Sequence, residues 1–287
     1  MEISEKENST AKETEPAGYF SEKWPFGPPG KYGAANNEML LIDLIPEKLD
    51  LDRGIYRQNI LQSHRYAWQA SYRHTELLIS CDSDIKEKIK GLLEEIYRQL
   101  DYCIRKEPAF LKSLSPVKVK PFFPEAIRNM CRLSALFNVG PMAAVAGAVN
   151  DFLAAGLKSY CNELIIENGG DLYIKSGRDI NTGVYVKNSF FKDLITVQVD
   201  SADMPCGICS SSGTFGHSLS LGNCDLAVVL SDSSTGADAA ATAVANSINT
   251  VEDIRKSIDF FKGLSPVKGL LIIKKDIVGI WGKIRLV

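Results

Sequence analysis

Asp238 and Thr242 stand four residues apart in Ser231-Asp-Ser-Ser-Thr-Gly-Ala-Asp238-Ala-Ala-Ala-Thr242. On a helix that spacing projects both side chains from one face. A carboxylate and a hydroxyl suit a hard cation such as Mg²⁺, which takes few protein oxygens and completes its shell with water and phosphate. The same residues also serve as an acidic N-terminal turn with a threonine bonded back to a carbonyl. A second segment, Cys206-Gly-Ile-Cys209-Ser-Ser211-Ser212-Gly213-Thr214-Phe-Gly-His217, is the densest polar, glycine-rich stretch of the chain. The amides and hydroxyls of Ser211 to Thr214 can cradle phosphate. His217 can move a proton, and Cys206 and Cys209 form a CxxC pair suited to thiol chemistry. No second such pair exists, so a structural zinc would have to draw on Cys224 and His217.

Two further segments offer backbone rather than side chains. Gly140-Pro-Met-Ala-Ala-Val-Ala-Gly147-Ala148 reads as a small-residue helix start, where free amides attract anions or a neighbouring backbone packs closely. Glu167-Asn168-Gly169-Gly170-Asp171 reads as a turn between two strands, with paired glycines that allow left-handed backbone.

The elements that must hold these segments follow from hydrophobic periodicity. Tyr66 to Tyr72 alternates as a strand, and Thr75 to Cys81 is a second. Ile85, Ile89, Leu92, Leu93, Ile96, Leu100 and Ile104 mark an amphipathic helix that ends at Pro108. Pro124 opens a helix to about Phe137, and another spans Met142 to Leu157. Strands are expected at Leu164–Ile166, Leu172–Lys175, Leu194–Val199, Leu226–Leu230, Leu270–Lys274 and Ile277–Ile284. Helices are expected at Thr235–Ile248 and Val251–Phe261. Strands, helices and strands in that order, without βαβ alternation, point to an α+β fold with a mixed, largely antiparallel sheet and packed helices. Residues 1–33 read as a disordered or loosely docked tail carrying Trp24 and Phe26, 34–52 as a connector, and 53–287 as one domain.

The chain has 287 residues, 33 basic and 35 acidic, for a formal net charge of −2. That balance excludes nucleic acid and anionic membranes as main partners. The seven cysteines are odd in number and sit in apolar runs, unlike a secreted disulfide scaffold. With no signal-peptide pattern at the start, a cytoplasmic location is expected. The Ala- and Gly-rich run from Val139 to Leu157 contains Asn150 and Asp151, and reads as a buried helix rather than a membrane span.

The strings VGPMAAVAGA, ENGGD, GICSSSGTFGHSLS and DSSTGADAAAT, together with YRHTELLIS, resemble in that order an uncharacterised cytoplasmic branch of the ApbE-like superfamily. Its founding members are flavin transferases, which move FMN from FAD to a threonine of a target protein with Mg²⁺. The resemblance implies an ApbE-like fold, Mg²⁺ on Asp238 and Thr242, and flavin beside Asn168, Gly169, Gly170 and Asp171. It implies the diphosphate near Ser211, Ser212, Gly213, Thr214 and His217, with Gly140 opening the small-residue helix. It also implies a nucleotide or other small ligand and a protein acceptor, and leaves an oligomer open. One position departs: the small-residue helix reads Ala-Val-Ala-Gly where the transferases carry a lysine. Two other functions fit the residues. One is an intracellular sulfur or thiol relay (sulfide assimilation) through Cys206 and Cys209; the other is a non-catalytic ligand-binding module.

Overall fold

A computed structural model of the chain describes residues 40–44, 66–186, 188–191, 194–213 and 222–287. The expected tail, with Trp24 and Phe26, lies outside the described residues, as do Thr214 and His217.

A nine-stranded sheet has the order β1-β2-β3-β4-β5-β8-β9-β10-β11. Its strands are β1 (Leu40–Leu44), β2 (Tyr66–Tyr72), β3 (Thr75–Cys81), β4 (Leu164–Asn168), β5 (Asp171–Lys175), β8 (Cys206–Ser211), β9 (Leu226–Ser231), β10 (Val267–Lys274) and β11 (Ile277–Gly282). Every neighbouring pair is antiparallel. A second sheet, also antiparallel, joins β6 (Ile180–Tyr185), β7 (Leu194–Val199) and β12 (Arg285–Leu286) in the order β12-β7-β6. The helices are α1 (Lys86–Lys106), α2 (Ala109–Lys112), α3 (Glu125–Leu136), α4 (Val145–Leu157), α5 (Ser234–Ser247) and α6 (Asp253–Phe261), with a 3-10 turn at Pro141–Ala144 before α4. This is the expected α+β architecture with an antiparallel sheet.

Both faces are covered at the centre of the large sheet. Leu164 and Ile166 of β4, Ala227 and Val229 of β9, and Leu270 and Ile272 of β10 pack under the helices. The alternate residues Ile165, Val228 and Leu271 pack toward Val184, Val197 and Val199 of the small sheet. Two-sided burial explains why these antiparallel strands read as unbroken apolar runs, a pattern more usual in parallel sheets. α4 is buried as expected, with Gly147, Ala148, Val149, Asn150, Leu153, Ala154 and Leu157 inside. No single helix among the described residues is long and apolar enough to cross a membrane; α3 and the run Pro141–Leu157 qualify only as a pair bent by 105°.

Two expectations change. Leu40–Leu44 falls in the presumed connector but pairs with β2 as an edge strand. The segment read as a glycine-rich polar loop begins as strand, since Cys206–Ser211 forms β8 between β5 and β9, with Ser212 and Gly213 following it and residues 214–217 outside the described residues.

Candidate functional site

The four sequence segments converge on the helix-covered face of the sheet. Gly147 lies where α4 crosses α5: a Cβ there would fall 2.2 Å from the Ser234 carbonyl oxygen. Gly207 of β8 is just as constrained, with a hypothetical Cβ 2.4 Å from Ser234 Cα. These glycines let α5 settle between α4 and β8. Ser234, Asp238 and Thr242 then follow one another along a single face of α5.

Asp151, on α4, caps α5 from outside that helix. Its carboxylate accepts from the Ser234 amide at 3.0 Å, the Thr235 amide at 2.8 Å and the Thr235 hydroxyl at 2.6 Å. Ser233 adds the local cap, its hydroxyl accepting from the Gly236 amide. Asp238 answers in the other direction. Its Oδ2 accepts from the Gly147 amide at 2.9 Å, and the Ala146 amide adds a second bond. The α4 amides that were expected to attract an anionic ligand are therefore engaged by a protein carboxylate.

Asp171 begins β5 just after the turn at Gly169 and Gly170, whose φ values of 65° and 106° explain the paired glycines. One Asp171 carboxylate oxygen accepts from the Ser210 amide at 3.2 Å, and the neighbouring Cys209 thiol donates to the Ser234 carbonyl at 3.5 Å. The Asp171 carbonyl accepts from the Asn150 side chain at 2.9 Å. Asn168 reaches the Ala146 carbonyl, and the buried Glu167 accepts from the Gly170 amide. These bonds tie the turn, α4, β8 and α5 into one polar cluster beneath the helices.

Charge is the cluster's defining property. Asp151, Asp171 and Asp238 are all pushed above the ordinary carboxylate range, each chiefly by burial. Asp171 reaches about 7, with Glu167 repulsion adding to desolvation. Asp238 is raised further, because the Asp171 charge adds to its burial. Among the described residues no lysine or arginine forms an ion pair with any of the three. Buried like charges without a counterion are costly, and such groups mark sites where a ligand supplies the missing charge. Among the described residues no three metal-ligating side chains converge on one point. Any cation held here would draw on one or two carboxylates, with the rest of its shell from ligand and water.

Several candidates take other places. Cys206 and Cys209 project from opposite faces of β8. Cys206 packs with Ile208 toward the small sheet, and Cys209 packs under α5. Strand alternation therefore separates the CxxC pair, which cannot act as a vicinal dithiol. Burial pushes Cys206 up to about 12, and raises Cys209 with help from the neighbouring carboxylates. The Gly213 amide is already bonded to the Cys224 carbonyl at 2.9 Å and is not free for phosphate. A Cβ on Gly140 would fall 1.9 Å from the Ser113 carbonyl oxygen, so close packing against residues 113–114 accounts for that glycine. Thr242 is buried one turn beyond Asp238. Ser211 shares the α5-facing side of β8 with Cys209, and its buried hydroxyl has no partner among the described residues. The sequence reading missed Asn150, Asp151, Ser234 and Thr235. Two polar residues in the middle of an alanine-rich apolar helix were the available signal.

This sheet, with its helical cover and the four joined segments, defines an ApbE-like protein. The family model described as AbpE bacteria matches residues 58–259, and the chain belongs to that family. A UPF0280 protein of Methanocaldococcus jannaschii is 34% identical over 218 residues, covering 74% of this chain and 88% of its own length. One from Methanococcus maripaludis is 36% identical over 221 residues, covering 75% and 89%. Among solved structures, the flavin transferase ApbE from Vibrio cholerae superposes with a TM-score of 0.50 at 14% identity, covering 72% of this chain and 93% of that one. At that identity the likeness establishes the shared fold.

Proposed function

We propose that the Asp171–Asp238 cluster binds FAD, or a closely related nucleotide diphosphate, together with Mg²⁺, and that the protein transfers FMN to a hydroxyl of a protein acceptor. The observation that carries this reading is the pairing of buried Asp171 with half-buried Asp238, neither ion-paired to a lysine or arginine among the described residues, assembled from the family's own segments. Asp238 and Thr242 supply a carboxylate and a hydroxyl from one face of α5, Asp171 adds a carboxylate from β5, and the Ser211 hydroxyl stands ready as a further oxygen. Such a set suits Mg²⁺, which when bound would polarise a phosphoanhydride and offset developing charge.

The protein's own residues define the rest. Asp151 fixes the start of α5 and hence the positions of Asp238 and Thr242. The Gly147 amide orients the Asp238 carboxylate. Asn150 and Asn168 hold the β4–β5 turn against α4. Ser212, Thr214 and His217 are the proposed diphosphate contacts, with His217 as the group that takes the acceptor proton.

A thiol relay is not favoured, because β8 separates Cys206 from Cys209. A non-catalytic binder is distinguished by turnover. Isothermal titration of FAD with and without Mg²⁺ tests binding, and mass spectrometry of a threonine-containing acceptor tests transfer. Binding that requires Mg²⁺ and disappears in Asp238→Asn supports the reading; no binding in either condition overturns it.

A further inference from the structure

Two cysteines outside the carboxylate cluster lie side by side. Cys81 ends β3, where it pairs in register with Leu164 at the start of β4. Cys161 lies three residues before Leu164, in the turn after α4. The Asn162 amide is held by the Asp82 carboxylate, 3.2 Å from each oxygen, which fixes residues 81–82 beside residues 161–162. Both side chains belong to one core cluster, and the Cys81 thiol donates to the Ser83 carbonyl at 2.8 Å. Lys175 completes the group, its ammonium donating to the Cys161 carbonyl at 2.7 Å and to the Lys158 carbonyl at 3.3 Å. This is the open end of the β4–β5 hairpin, where Leu164 pairs with Lys175; the carboxylate cluster is at the turn end, where Asn168 pairs with Asp171. Four residues of strand put about 13 Å between the two ends.

We propose that Cys81 and Cys161 are a thiol-oxidation site that closes reversibly to an intramolecular disulfide when the protein meets a low-molecular-weight disulfide such as oxidised glutathione. Cys161 is the point of entry. It is 3% exposed but flanked by Tyr160, 50% exposed, and by the exposed Asn162, so a small opening of the turn presents its sulfur. The neighbouring Cys81 thiol, helped by the Lys175 ammonium, holds the Cys161 thiol below its ordinary range, whereas Cys81 is raised. A lowered thiol is the attacking one.

The Cys161 thiolate attacks one sulfur of the small disulfide, whose S–S bond breaks and releases one small thiolate. Cys81 then gives up its proton and attacks the Cys161 sulfur, expelling the second small thiol. Two protein thiols are oxidised by two electrons, and one small disulfide is reduced to two thiols. The other cysteines are set against this chemistry. Burial raises Cys131 to about 12 and Cys103 to about 11, although these two are within electrostatic reach of each other. Closure would pin the end of α4, the helix that carries Asn150 and Asp151, to the sheet.

The test uses the full chain, equilibrated with oxidised glutathione or with dithiothreitol, alkylated, and mapped by peptide mass spectrometry without reduction. The expected result is one disulfide joining the Cys81 and Cys161 peptides, an intact mass lower by two hydrogens, and full reversal by dithiothreitol. Cys161→Ala should remain fully alkylatable at Cys81 after the same oxidation. Seven alkylatable thiols after oxidation, a Cys103–Cys131 bridge in its place, or glutathione retained on Cys161 would each overturn the proposal. The wild-type peptide map decides it even if Cys161→Ala does not fold.

Discussion

Raising the pH of the ligand-free protein from about 5 to about 8, with a chelator present, should lower its thermal stability. Asp171 moves from 3.8 to about 7 on folding, mainly through desolvation. Below about pH 4 both folded and unfolded chains hold its proton. Between about 4 and 7 only the folded chain holds it, so each pH unit removes about 1.4 kcal/mol of stability, and above 7 the loss is complete. The interval from 5 to 7 therefore removes about 2.7 kcal/mol, equivalent to a fall in Tm of roughly 5 to 10 °C for a domain of this size. Asp238 is raised as well and acts with the same sign. The surface carboxylates with lowered values, Glu95, Asp179, Glu252, Asp253 and Asp259, act oppositely, but their contribution is already complete above about pH 5. The assay is thermal unfolding followed by circular dichroism across that range, for the wild type and Asp171→Asn. The wild type should fall, and the variant should fall less steeply, keeping only the part that Asp151 and Asp238 contribute. A wild-type midpoint that is constant or rises, or a variant with an unchanged slope, would refute the claim that Asp171 is a buried, uncompensated acid.

Other substitutions probe the frame around the cluster. Gly147→Ala places a methyl 2.2 Å from the Ser234 carbonyl oxygen and should cost about 2–3 kcal/mol in urea unfolding as α4 and α5 separate. Asp151→Ala removes three bonds to the start of α5 and should cost about 2–4 kcal/mol, with Asp151→Asn in between because it keeps an acceptor. Asp238→Asn replaces an acid whose raised value keeps it protonated in the ligand-free protein, so it should change the Tm little near neutral pH while weakening nucleotide binding at least tenfold. Oxidation should never yield a Cys206–Cys209 disulfide in peptide maps, since β8 holds the two on opposite faces.

The sequence is legible where one periodicity dominates. β3 falls on Thr75–Cys81 and β7 on Leu194–Val199 as expected, and the major helices end within a few residues of their predicted bounds. β8 was missed because Cys-Gly-Ile-Cys-Ser-Ser has the small, polar composition of a loop. Contact with α5 on one side and the small sheet on the other requires that composition. β6, with Asn181, Thr182 and Gly183 at its centre, hides for a similar reason. Within the site, Asp171 and Asp238 announce themselves through their glycine and alanine surroundings. Asn150 and Asp151 do not, because their partners lie 21 and 83–84 residues away and only the crossing of α4 and α5 brings them together. The separation of Cys206 from Cys209 likewise depended on knowing that the segment is a strand.

The claim that Asp171 and Asp238 are a cation-and-nucleotide site is tested most directly by calorimetric titration of the chelator-stripped protein with FAD, before and after addition of Mg²⁺. Saturable binding that appears only with Mg²⁺, and is lost in Asp238→Asn while the variant remains folded, is the predicted result. Absence of heat in both conditions, or equal affinity in the wild type and Asp238→Asn, would contradict it.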